Sequence, residues 1–224
     1  MRRATLAETF DHAATVPFDP ACRACPRLAA HLDAVRSGHP GYHARPVAPF
    51  GAAAPRLLIV GLAPGLHGAN RTGRPFTGDY AGILLYRTLF DLGLASRPEA
   101  IAADDGLALT DCRITNAVKC LPPANKPAPA EIARCNGFLA AEFAATPSLR
   151  AILALGRIAH DATLKALGAK PAAFRFAHGA AHRLDDRRWL VDSYHCSRYN
   201  TQTRRLTAGM FAEVVAAALA KARA

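Results

Sequence analysis

The sequence predicts an α/β protein with a three-layer α/β/α arrangement around a central, mainly parallel four-stranded sheet. Four short apolar runs recur with room for a helix between each pair. The segments between them repeat apolar residues at helical spacing, and loops marked by glycine or proline follow the runs. Strand and helix alternating in this way favour a parallel sheet covered on both faces.

The first run, RLLIVG (56–61), empties into GLAPGLHGANRTGRPFTGD, Gly61 to Asp79, a loop of five glycines, two prolines and an asparagine. Next comes YAGILLYRTLFDLGL, with Ile83, Leu84, Tyr86, Leu89, Phe90 and Leu92 at helical spacing. The second run, CRITNAV (112–118), precedes the helical segment APAEIARCNGFLAAEFAA, where Pro129 suits the first helical position. The third, AILALG (151–156), leads into RIAHDATLKALG, which Gly168 ends. FRFAHGAAHRL reads as a short hairpin on the sheet edge. The fourth run, WLVDSYH (189–195), is followed by RRLTAGMFAEVVAAALAKARA, the closing helix. Open sheets of this kind bind ligands at the carboxyl ends of their strands. The Gly61–Asp79 loop, Asn116 with Lys119, Gly156 and His195 are therefore expected to converge on one edge.

A chain of 224 residues suits a single domain, 1–224. Charged residues at 20% and hydrophobic ones at 51% describe a globular chain rather than a disordered one. No apolar run is long enough to span a bilayer, and MRRATLAETFDHAA has no apolar core of a secretory signal. The expectation is a cytoplasmic monomer with no membrane partner. Net charge is +11 with only five lysines, an excess that favours a polyanionic partner through counterion release. A codon bias toward Ala, Arg, Gly and Pro would produce the same excess.

Six cysteines are present. Cys22 and Cys25 form CRAC, and Cys120 and Cys135 bracket a proline-rich loop; two such pairs suit a four-thiolate site. Zinc or an iron–sulfur cluster would each satisfy it, and the wide second spacing favours a [4Fe-4S] cluster. Cys112 and Cys196 lie in or beside apolar runs and read as small buried hydrophobes.

The glycine-rich loop matches neither a phosphate-binding P-loop, since it has no lysine, nor a dinucleotide fingerprint. Its one aromatic, Phe76, is either a stacking platform for a base or a plug onto the core. His195 opens HCSRYNTQTRRLT, whose arginines and hydroxyls suit phosphate contacts, while Ser197, Asn200, Thr201 and Thr203 are equally able to cap a helix or bond the backbone.

GLAPGLHGANRTGRPFTGD, TNAVKCLPPANKP and HCSRYNTQTRRLT together resemble the signature regions of the uracil-DNA glycosylase superfamily, specifically its iron–sulfur-containing family five of broad specificity. The resemblance runs from about Cys22 to Thr207. It implies a hydrolase that flips uracil, and deaminated bases such as hypoxanthine, out of duplex DNA and also acts on single-stranded DNA, cleaving the N-glycosidic bond to leave an abasic site. By the same resemblance Cys22, Cys25, Cys120 and Cys135 are the [4Fe-4S] ligands. The base pocket comprises Gly61, Ala63, Gly65, Phe76, Asn116 and His195. DNA contacts fall to His67, Asn70, Arg71, Arg74, Ser197, Arg198, Asn200 and Thr203.

Such cleavage builds positive charge on the sugar and negative charge on the base, and both need stabilising. Phe76 would stack on the base, Asn116 would face its Watson–Crick edge, and His195 would donate to its oxygen. GLAPG lacks the acid or amide that most branches of the superfamily carry there, so Asp79 inherits the water-orienting role, with a plain helix cap as its competitor. Gly65 replaces an alanine common in the family. Two rival readings stand beside this one: a non-catalytic iron–sulfur DNA-binding or redox-sensing protein, and a nucleotide-binding hydrolase on the same sheet.

Overall fold

Leu57, Leu58, Ile59 and Val60 are fully buried, as a strand covered on both faces requires. They belong to β2 (Leu57–Gly61), which pairs in parallel with β3 (Cys112–Asn116) on one side and β4 (Ala151–Leu155) on the other. β4 pairs in parallel with β6 (Trp189–Ser193). These four strands are the four apolar runs, each one or two residues shorter than the run itself. The computed structural model describes residues 17–224, so the leader reading of the first segment and the opening of the single domain lie outside the described residues.

The sheet has six strands rather than four, in the order β1-β3-β2-β4-β6-β5. Both additions are short antiparallel edges: β1 (Phe50–Gly51) on β3, and β5 (Ala181–Arg183) on β6. FRFAHGAAHRL does not fold back on itself; only its last part is extended, and its hairpin partner is the fourth run. β1 escaped notice because a two-residue strand has no periodicity.

Alternate side chains along each strand feed two cores. Leu57, Ile59, Ile114, Leu153 and Val191 pack with α3 (Tyr80–Asp91) and α7 (Ala208–Arg223). Leu58, Val60, Ile152 and Leu190 pack with α4 (Pro129–Ala144) and α5 (Arg157–Ala166). The closing segment holds one helix as expected, α7, which begins only where Thr207 caps it through its hydroxyl accepting from Met210 N; a separate short helix, α6 (Arg198–Gln202), precedes that segment, and a one-turn helix, α2 (Ala69–Thr72), lies in the glycine-rich loop. A further helix, α1 (Pro26–Gly38), follows the CRAC segment and carries Leu28, Leu32 and Val35 inward. Arg27 holds α1 to α4 through paired bonds to Glu131 at 2.8 and 2.6 Å. Among the described residues no helix is long and apolar enough to cross a membrane.

Candidate active site

The carboxyl ends of β2 and β3 meet in register, Gly61 opposite Asn116. Asn116 is 3% exposed and its Oδ1 has no hydrogen-bond partner. A buried amide oxygen left unpaired is costly unless something arrives to use it. Gly61 is what lets Asn116 and Phe76 occupy this space: a Cβ there would lie 2.4 Å from Asn116 Oδ1 and 2.6 Å from Phe76 Cζ. Phe76 holds a left-handed backbone, φ 54°, uncommon for a residue with a Cβ. Gly82 of α3 permits it, since a Cβ at Gly82 would overlap the Phe76 carbonyl oxygen. The Phe76 ring is 6% exposed and stacks on His195, centroids 5.9 Å apart at 27°. Phe76 is therefore both core plug and pocket wall.

His195 lies two residues past β6. Asn200 Nδ2 donates to its carbonyl at 2.8 Å, and Ser197 Oγ accepts from Asn200 N to start α6, so this turn is internally braced. Burial pushes the imidazole pKa down to about 4, so the ring is neutral at ordinary pH, and its Nδ1 is buried without a partner. Asp79 caps α3, its Oδ1 accepting from Gly82 N at 2.8 Å. Its other oxygen faces the Gly65–Gly68 turn: a Cβ at Gly65 would sit 3.7 Å from Oδ2 and one at Gly68 only 2.5 Å. Burial raises the carboxyl pKa, outweighing the Gly82 and Ala81 amides. The cap and the pocket wall are one residue.

These groups line one cavity of about 470 Å³, in the range of small-molecule sites. It brings together Ala63, Gly65, Phe76, Asp79, Asn116 and His195, with Gly156 at the end of β4 and Ser197 at the rim. Gly61 stands behind the wall. Asn125 and Ile158 also line it and had escaped notice. The proline-rich turn around Asn125, φ 55°, was the available signal for the first. Ile158 sits on the opening turn of α5, where nothing in an apolar side chain marks a site.

Two expected DNA contacts are corrected. Asn70 is fully buried, and Arg74 is 3% exposed with its guanidinium on Asp105 at 2.9 and 2.6 Å, so neither reaches a phosphate. Arg74 instead pins the glycine-rich loop to the 101–107 loop and holds the Asp105 carboxyl far below its ordinary range. Lys119 turns away from the edge where it was expected and is buried against Thr115 and Glu142. His67, Arg71, Arg198 and Thr203 are exposed; Arg71 Nε bonds the His67 carbonyl, Arg198 lies over the Tyr80 ring, and Thr203 Oγ1 bonds the Tyr199 carbonyl.

A second cavity, about 270 Å³, is lined by Cys22, Cys25, Cys120 and Cys135 with Leu28, Val118 and Phe138. The four thiols from two distant segments thus face one space. Lys119 N–H points at Cys135 Sγ, 3.3 Å away. Burial, then the neighbouring Cys135, Cys22 and Cys25, push the Cys120 thiol up to about 12. No three of the sulfurs come within 4.8 Å of one another. Tetrahedral zinc at about 2.3 Å from each sulfur would hold them roughly 3.8 Å apart. Four thiols around one cavity are a donor set able to hold a thiolate-bound metal group. Cys112 and Cys196 are fully buried in the core, as expected.

A family profile described as the uracil DNA glycosylase superfamily matches residues 48–219. A Type-5 uracil-DNA glycosylase of Thermus thermophilus is 48% identical over 212 residues, 92% of this chain and 96% of that one. One of Pyrobaculum aerophilum is 43% identical over 90% and 89% of the two chains, and one of Mycobacterium bovis 43% over 86% and 75%.

Proposed function

The chain belongs to the uracil-DNA glycosylase superfamily and its type-5 group, and from that premise we propose how its residues divide the work. It is a hydrolase of DNA repair that removes uracil from DNA. The observation that carries the reading is the unpaired Asn116 amide oxygen beside a neutral His195 and a stacking Phe76 in one cavity.

A base inside the duplex cannot reach such a cavity, so the nucleotide must be extruded. Phe76 supplies a π face for the flipped base. Asn116 Oδ1 accepts from uracil N3–H while Nδ2 donates to O4, and this pairing discriminates uracil from cytosine, which has no N3 proton and carries an amino donor at position four. As the glycosidic bond stretches, negative charge grows on O2. His195, held neutral by burial, donates a hydrogen bond there without first having to lose a charge. Asp79 is anchored through Oδ1 at the head of α3 and presents Oδ2 to the attacking water and the developing sugar cation.

Hypoxanthine shares the N–H and carbonyl edge that Asn116 would read, so deaminated purines belong to the substrate range, in duplex and single-stranded DNA. His67, Arg71 and Arg198, with Ser197, Asn200 and Thr203 shaping the turn, form the phosphate-facing rim. Cys22, Cys25, Cys120 and Cys135 hold a [4Fe-4S] cluster, which when bound tethers the segment before α1 to the loop after β3 and to α4. The protein acts as a cytoplasmic monomer.

The rival reading as a non-catalytic DNA-binding or redox-sensing protein has no support, since the relatives above carry glycosylase names and that role has no use for an unpaired amide beside a stacking ring. Purified protein incubated with oligonucleotides carrying one uracil or one hypoxanthine, then alkali, should break the strand at the damaged base. Asn116→Ala and His195→Ala should lose this by orders of magnitude; wild-type rates in both would overturn the assignment. Iron content of about four per chain, lost in Cys120→Ser, tests the cluster.

A further inference from the structure

His160 of α5, Asp192 of β6 and His182 of β5 meet on the α4–α5 side of the sheet, outside the base cavity and the thiol cavity. His160 and Asp192 are fully buried, and the His182 side chain is 18% exposed. His160 Nε2 lies 3.0 Å from the Phe174 carbonyl oxygen. A carbonyl only accepts, so Nε2 carries the proton, and in a neutral ring Nδ1 is then a lone pair. Nδ1 faces Asp192 Oδ1 at 2.8 Å, a contact that needs either a proton or a cation between the two atoms. The other carboxylate oxygen, Oδ2, is buried without a hydrogen-bond partner, and so is His182 Nε2, which stands 3.3 Å from it in a geometry that makes no hydrogen bond. One donor atom from each residue falls within 4.8 Å of the others. Two imidazole nitrogens and a carboxylate converge, with His182 Nε2 and Asp192 Oδ2 left without partners.

We propose that His160 Nδ1, His182 Nε2 and an Asp192 carboxylate oxygen bind a divalent transition metal of the zinc class. Imidazole and carboxylate together suit zinc, and a metal-ligating histidine characteristically donates its other ring N–H to a backbone carbonyl, as His160 does to Phe174. The metal takes the place of a proton between His160 Nδ1 and Asp192 Oδ1 and satisfies both orphaned atoms in one step. His182 leaves a path to solvent, so water completes the coordination shell. The site fastens the edge strand β5 and helix α5 to β6. α5 begins at Arg157 and Ile158 in the base cavity, and β6 runs on to His195, so the metal braces two walls of the active site from behind.

Iron-loaded wild-type protein and a His182→Ala variant are dialysed against micromolar zinc, freed of unbound metal, and assayed for zinc and iron by elemental analysis and for melting temperature. His182 lies at the partly exposed sheet edge, so the variant keeps its core. The expected result is one zinc per chain in wild type with unchanged iron, a zinc-dependent rise in melting temperature, and loss of both in His182→Ala. His182→Cys, which restores a ligand, recovers zinc retention. The proposal is overturned if wild type retains no zinc, if His182→Ala retains as much, or if zinc enters only as iron leaves.

Discussion

Gly61→Ala places a methyl group where the site has no room for one. The added Cβ would lie 2.4 Å from Asn116 Oδ1 and 2.6 Å from Phe76 Cζ, each about 1 Å short of the 3.4 Å at which ordinary contact begins. Neither neighbour is a flexible chain end. Asn116 closes β3 at 3% exposure, and Phe76 is held by its left-handed backbone and by the His195 ring. The base-reading amide and the stacking face must therefore shift by a large fraction of an ångström. Misplacement by about 1 Å costs roughly 10²-fold in rate, about 2.7 kcal/mol of barrier. Overpacking of this kind adds about 1–3 kcal/mol of destabilisation. Single-turnover excision of uracil from an oligonucleotide, with a melting curve on the same sample, separates the two effects. Gly65→Ala is the control: its methyl group would rest 3.7 Å from Asp79 Oδ2, an ordinary contact, and activity should stay within a few-fold. A folded Gly61→Ala enzyme excising uracil at the wild-type rate would falsify the claim that this glycine makes the pocket.

Arg198→Ala, at an exposed position, should weaken DNA binding and lower the salt slope by about one, whereas Arg74→Ala should leave the slope alone and destabilise the fold by about 3 kcal/mol through the unpaired Asp105; titrations at several salt concentrations and urea melts read each. Lys119→Met strands the Glu142 carboxylate, whose partner it is in a buried pair at 3.4 Å, and should cost about 3–5 kcal/mol, much of it regained in Lys119→Met with Glu142→Leu. Because burial lowers the His195 pKa from 6.5 to about 4, the unfolded chain binds the extra proton in that window and the folded one does not. The His195 contribution to stability is therefore intact above pH 6.5 and lost as pH falls toward 4, which melting curves of wild type against His195→Ala should show as a steeper acid limb in wild type.

The four central strands are legible because each is a short run rich in apolar residues between loop segments, and the helices α3, α4 and α5 because their apolar residues repeat at helical spacing. α1 passed unread because its weakly apolar PRLAAHLDAVRSG buries only a narrow stripe. α6 lies ahead of the closing helix in a five-residue stretch too short to show helical spacing. Phe76 illustrates the limit at the site: composition marks it as the loop's one aromatic, while its double duty depends on Gly61 and Gly82, which lie apart in sequence and meet it only in the fold. Asn70 and Arg74 share a loop and a polarity with Arg71, yet Arg71 is exposed and they are buried.

The alternation of strands and helices, the two cysteine pairs and the three motifs that mark the family can all be read along the chain, because each is local in spacing or composition. Which polar side chains are spent inside depends on how the elements pack. Arg74 goes to Asp105, Lys119 to Glu142, and the Asp79 carboxylate is shared between a helix cap and the pocket. The same packing leaves Asn116 Oδ1 unpaired. Burial and the identity of a partner from elsewhere in the chain set these outcomes, and neither is written in the neighbouring residues.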